Sequence, residues 1–183
     1  ENTDRVTEQV NAPDPFLLWS ATDLLSPFLF GDGYVLPSNV RVRELLSDPD
    51  GYNQTPIILG SNRDEAKLFM MGDPYFTHRI FGLPFATRNE EAYGRATSYG
   101  SLFWKADAVD ESAIRLVESQ GETVYAYRFD WDDLRAFLTL DLSHLLGASH
   151  ALELPFVFGN LNLLETALVL ADVDSARALS DQM

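Results

Sequence analysis

The sequence predicts an α/β chain with few sheet strands and a mainly helical middle region, on three observations. Pro56-Ile57-Ile58-Leu59-Gly60 is a short, wholly apolar run between turn-forming residues, the pattern of a central strand buried on both faces of a parallel sheet. Thr123-Val124-Tyr125-Ala126-Tyr127-Arg128-Phe129 is rich in aromatic and β-branched residues and predicts a second strand. Between them, residues 73–120 read mainly as helix, with helix formers over 89–99 and a periodic apolar set at Ala113, Ile114, Leu116 and Val117. Two strands joined through helices form a crossover unit.

Taken in order, residues 1–30 hold a polar lead and then apolar clusters at Phe16-Leu17-Leu18-Trp19 and Phe28-Leu29-Phe30. Pro13, Pro15 and Pro27 interrupt any long helix there, so irregular packed covering is expected. Gly31-Asp32-Gly33-Tyr34 is a turn, since glycine supplies positive φ without steric penalty. Residues 41–46 predict a short helix closed by the Asp48-Pro49-Asp50-Gly51 turn. After the first strand, Ser61-Asn62-Arg63-Asp64-Glu65 leads into a short helix over 66–71, which sets polar groups at the carboxyl edge of the sheet, where open α/β folds bind ligands. Leucines at 134, 138, 140, 142 and 145 fit no single period, and residues 163–183 read as a helix with Leu164, Ala167, Leu168 and Ala171 on one face.

The chain has 183 residues, 46% of them apolar, enough for a sizeable core and against disorder. Its 13 basic and 28 acidic residues give a formal charge of -15, which repels phosphate backbones and anionic membrane surfaces and excludes nucleic acid as a partner. With no cysteine, disulfides and thiolate metal sites are ruled out, and the composition leans towards a reducing, cytoplasmic compartment. No apolar run approaches the roughly 18 to 20 residues of a membrane helix, and no signal peptide is recognisable at Glu1-Asn2-Thr3-Asp4. The chain starts without an initiator methionine and ends inside a predicted helix, so we expect one incomplete segment, 1–183, of a longer protein.

Two stretches carry chemistry. In Gly147-Ala148-Ser149-His150-Ala151-Leu152-Glu153-Leu154-Pro155-Phe156-Val157-Phe158-Gly159, small residues allow a tight turn and the apolar run behind can anchor it. A histidine at such an edge is either a general base or a partly buried imidazole bonded to backbone. In Gly60-Ser61-Asn62-Arg63-Asp64-Glu65, one reading is a capping box with Asn62 as the helix N-cap and Glu65, three residues on, reaching back to a free backbone donor; the other makes an acid of Glu65 or its neighbour Asp64. His150 and Glu153 stand at a spacing that can place two metal ligands on one helix face, but no second histidine-acid pair complements them, so no metal or cofactor is expected. Asp130-Trp131-Asp132-Asp133 lacks the spacing of a calcium loop and reads as a solvated turn; Arg128 either pairs with one of its aspartates or faces water. Phe76, Phe81, Phe85, Trp104 and Phe156 line a substrate pocket or, by default, pack the core.

Both stretches resemble segments of the type-B carboxylesterases, the cholinesterase-like family of α/β-hydrolases. The family's Gly-x-x-His-x-x-Glu-Leu, followed by an aromatic Phe-Gly end, corresponds to the stretch from Gly147 to Gly159, and its Gly-x-Asn-x-Asp-Glu-Gly-x-x-Phe to the stretch from Gly60 to Phe69, with Ala66 in place of glycine. Asp32-Gly33-Tyr34-Val35-Leu36-Pro37 is similar to its Asp-Gly-x-x-Leu-Pro segment. The resemblance implies the carboxyl-terminal portion of an α/β-hydrolase fold, with Glu65 as the triad acid, His150 as the triad base and Glu153 as a hydrogen-bonding group nearby. It further implies a small-molecule carboxylic ester as substrate. The nucleophile of such an enzyme sits in Gly-x-Ser-x-Gly, which is absent here; Ser149 adjoins the proposed base and cannot serve. The resemblance therefore puts the serine upstream of Glu1, on the missing amino-terminal part of the fold, which is the partner this segment needs. The alternative is a catalytically silent binding or adhesion module on the same fold.

Overall fold

The computed structural model describes residues 33–34, 37–38, 40–137, 140–166 and 169–183. The clusters expected within 1–30, and Asp32, Val35 and Leu36 of the 32–37 segment, lie outside the described residues. Chain order begins α1 (Val42–Leu45), β1 (Ile57–Asn62), α2 (Lys67–Met70), β2 (Thr77–Ile80), β3 (Leu83–Thr87) and α3 (Glu90–Trp104). A π-helical segment, Lys105–Asp110, runs straight into α4 (Glu111–Ser119) and then β4 (Val124–Phe129). Last come β5 (Ala136–Phe137), β6 (Leu140–Asp141), α5 (Leu142–Leu145), α6 (Leu154–Val157), α7 (Asn162–Thr166) and α8 (Val173–Ser180). This mixed architecture, with few strands and several helices, is the α/β class expected and is consistent with part of an α/β-hydrolase fold. Among the described residues no helix is long and apolar enough to cross a membrane.

The two predicted strands pair in parallel, Ile57 beside Val124 through to Asn62 beside Phe129, with the helices α3 and α4 in the crossover between them. The expectation that β1 is a central strand buried on both faces is not met among the described residues. It pairs there with β4 alone, and Ile58 is 68% and its neighbour Tyr125 59% exposed. The π-helical segment packs against β1 and α4 against β4, yet both strands are buried only at their carboxyl ends, at Ser61, Asn62 and Phe129. There Phe129, Ala148, Phe156, Leu161, Leu170 and Ala176 form a buried cluster, flanked by Trp131, Leu152 and Val173. The apolar run after His150 thus anchors the turn beside the strand ends.

Two elements depart from the sequence pattern. Inside the region read as mainly helical, β2 and β3 form an antiparallel hairpin whose turn, Phe81-Gly82, has φ of 51° and 82°; two positive values suit the right-handed twist of paired strands. In place of the predicted helix over 163–183, the described residues form two short helices, α7 and α8, with Leu170 between them bridging Leu134; Ala167 and Leu168 of the expected face lie outside the described residues. Asp172 caps α8 by accepting from the Ser175 amide at 3.0 Å, a start signal that divides the run.

The long helix shows why a π-helical segment is needed. Tyr93, Thr97 and Ser101 are buried at four-residue intervals on α3, and Leu116 is buried on α4. From Tyr93 to Leu116 is 116 − 93 = 23 residues, about 6.4 turns at 3.6 residues per turn, which would swing Leu116 away from the buried face. One wide turn after Trp104 compensates this drift, and Val109 within it is buried.

Candidate active site

The carboxyl end of β1 and the turn after α5 meet at Glu65 and His150. Asn62 ends the strand, and residues 63–66 turn before α2, so the Glu65 side chain points back under the strand end and is buried. One of its oxygens, Oε1, accepts the Asn62 backbone N–H at 2.7 Å; the other, Oε2, lies 2.7 Å from Nδ1 of His150. The expected capping box is not formed: Asn62 is the last residue of β1, the cap position of α2 is Ala66, and the Asn62 side chain turns elsewhere. Only its backward bond is made, the Asn62 N–H donating to one Glu65 oxygen while the other engages the imidazole.

The histidine turn is clasped to the acid turn at several points. The Asp64 backbone N–H donates to the Ala148 carbonyl at 2.9 Å, and the Ala148 N–H returns a bond to Asp64 Oδ2 at 3.1 Å. Asp64 also holds Arg63 and Lys67 in ion pairs at 2.8 and 3.3 Å. Asp64, the rival acid, is engaged in fixing the two turns to one another. Gly147 leaves it the room: a Cβ there would lie 2.3 Å from Asp64 Oδ2, and its φ is +54°. The Asn62 side-chain amide spans the same junction, donating to the Ser149 carbonyl at 2.7 Å and to the Glu153 carboxylate. Ala151, next to the histidine, has φ of 66°, a left-handed conformation uncommon for a residue with a side chain.

His150 is 36% exposed at its side chain while Glu65 is 5%. The hydrogen bond that His150 donates to Glu65 raises its pKa above the usual histidine value; burial acts against it, and the negative charges of Glu65 and Glu153 add to the rise. Among the described residues Nε2 makes no hydrogen bond. An imidazole with Nδ1 held by a buried carboxylate and Nε2 open is arranged to accept a proton at Nε2 and carry it as an imidazolium.

Two aromatic rings lie side by side against the imidazole. Trp104 lies 5.0 Å from it between ring centroids and Phe69 5.3 Å, and these two stack on each other at 5.6 Å. The remaining aromatics divide otherwise: Phe156 is fully buried against Phe129 and Trp131, Phe76 packs on Tyr93, Phe85 faces His78, and Phe81 is 95% exposed. Arg128 pairs with Asp130 through two bonds of 2.6 and 2.7 Å. Sequence reasoning missed the bridging role of the Asn62 side chain and the place of Phe69, because both depend on contacts across the fold.

No family model matches the chain, and no solved structure matches it. It is similar to the para-nitrobenzyl esterase of Bacillus subtilis (strain 168), 31% identical over an alignment of 140 residues that covers 68% of this chain and 26% of that protein. The chain is thus a distant relative of an esterase and spans about a quarter of that relative's length.

Proposed function

We propose that this chain supplies the acid and the histidine of a Ser-Glu-His triad in a carboxylic ester hydrolase, with the nucleophilic serine on a preceding part of the polypeptide. The observation that carries the reading is the 2.7 Å contact between the buried Glu65 carboxylate and Nδ1 of His150, with Nε2 making no hydrogen bond among the described residues. The esterase relative supports the reaction class.

In this reading Glu65 holds the tautomer with the proton on Nδ1, and Nε2 takes the hydroxyl proton as the serine oxygen bonds to the ester carbonyl carbon. The imidazolium then gives that proton to the alkoxide oxygen as the carbon–oxygen ester bond breaks, leaving an acyl-serine. Water, deprotonated by the same Nε2, releases the carboxylic acid and restores the serine. The preceding part of the fold completes the sheet beside β1 and β4 and covers the exposed Ile58 and Tyr125.

The test is hydrolysis of a soluble aryl ester by the full-length protein and its His150→Ala variant. The triad reading predicts loss of turnover with the fold retained by circular dichroism; unchanged hydrolysis in the variant would overturn it.

A further inference from the structure

Resting on that reading of His150, we propose that Trp104, backed by Phe69, is a positioning residue that fixes the plane of the imidazole and stabilises its protonated form during transfer. The Glu65 contact fixes one ring nitrogen and leaves the ring free to swing about that bond. Its plane is set by what lies against the ring, and Trp104 and Phe69, stacked on each other, meet it from one side at interplanar angles of 52° and 38°. They reach it from separate elements: Phe69 from α2, directly after the acid turn, and Trp104 from the last position of α3.

The seating of α3 is built for this. Ser101 Oγ accepts the Ala66 backbone N–H at 3.1 Å, and a Cβ on Gly100 would lie 2.8 Å from the Ala66 Cβ, so the helix sits directly against the acid turn. Trp104 is three residues beyond Ser101, on the same helical face and level with His150. The wide π-helical turn begins at the next residue, which lets α3 keep this phase while α4 recovers its own buried face. Such turns recur where a helix must present one side chain at a functional site.

The charged groups that act on His150 are the carboxylates of Glu65, from the acid turn, and Glu153, from its own turn. The indole approaches as an uncharged π surface within the distance at which a cation is attracted to an aromatic face. It therefore favours the imidazolium without a further anion that would trap the proton.

The test uses the full-length protein with Trp104→Ala and Trp104→Phe, read by ester kinetics and by direct NMR titration of the His150 ring. We expect Trp104→Ala to lower kcat roughly tenfold with KM little changed, to lower the His150 pKa, and Trp104→Phe to recover most of both. A ring that merely shields His150 predicts the opposite titration: its removal would hydrate the imidazole and raise the pKa, because burial lowers it. A raised or unmoved pKa overturns the proposal. Should Trp104→Ala fail to fold, Trp104→Leu keeps apolar volume, removes the aromatic face and carries the same test. Failure of the triad reading shows separately, as hydrolysis indifferent to His150→Ala; the titration still decides whether Trp104 stabilises the imidazolium.

Discussion

Among the described residues, two that are not glycine hold left-handed backbone, Phe81 at φ 51° and Ala151 at φ 66°, in opposite surroundings. Phe81 stands at the tip of a hairpin, 95% exposed, between Ile80 and Leu83, which are also exposed. Ala151 follows His150 in a turn whose neighbours Ala148 and Ser149 are buried and bonded to the acid turn. A non-glycine residue in this conformation carries roughly 1–2 kcal/mol of unfavourable energy. At the hairpin the paired strands impose the conformation. At Ala151 the junction imposes it, and the result is an imidazole aimed at a carboxylate. Backbone strain of equal kind thus serves strand reversal in one place and side-chain aim in the other.

The largest effects are expected where that aim is used. His150→Ala should reduce ester turnover by roughly 10⁴-fold or more in the full-length protein. Glu65→Gln should reduce it by roughly 10²- to 10⁴-fold and move the acidic limb of kcat/KM to lower pH, since the carboxylate that raises the His150 pKa is gone. The sign for stability follows the same shift. A folded-state pKa above the unfolded value stabilises fully at pH below the unfolded histidine pKa, and this stabilisation disappears as pH rises through the folded pKa. Unfolding curves of wild type and Glu65→Gln should therefore show the His150-linked difference at acidic pH and lose it in mildly alkaline buffer.

The junction itself comes next in size. Gly147→Ala should destabilise by about 2–4 kcal/mol in denaturant unfolding, because the added methyl meets Asp64 and the residue must keep positive φ. Smallest, and most direct for the comparison, are the paired exchanges Ala151→Gly and Phe81→Gly. Each should move stability by less than about 1 kcal/mol, relief of strain being offset by added freedom in the unfolded chain. Only Ala151→Gly should lower kcat, by loosening the turn that aims His150. Equal rates in the two variants would remove the functional distinction between the two strained positions.

What the sequence made legible was local. Glu65 and His150 stand in short motifs, and the two parallel strands are apolar or aromatic runs whose type does not depend on their neighbours. Legibility failed where a residue's environment is set from far along the chain. The exposure of Ile58 depends on how many layers cover the sheet, and the Asn62 amide bonds a carbonyl at Ser149 that no spacing rule connects to it. The hairpin did carry a signal, Gly82 between β-branched and aromatic residues. It was overridden by the helix formers that follow, and Pro84 weakened its second strand as a pattern. Trp104 belonged to a set of aromatics with core packing as default; the phase of a helix with one wide turn separates it from Phe156.

The most direct test of the central claim is labelling of the full-length protein with a serine-reactive fluorophosphonate, with the adduct located by mass spectrometry, in wild type and His150→Ala. The account predicts one adduct, on a serine preceding Glu1, lost in the variant. A folded wild type that takes no label would contradict it and leave a catalytically silent binding module on the same fold.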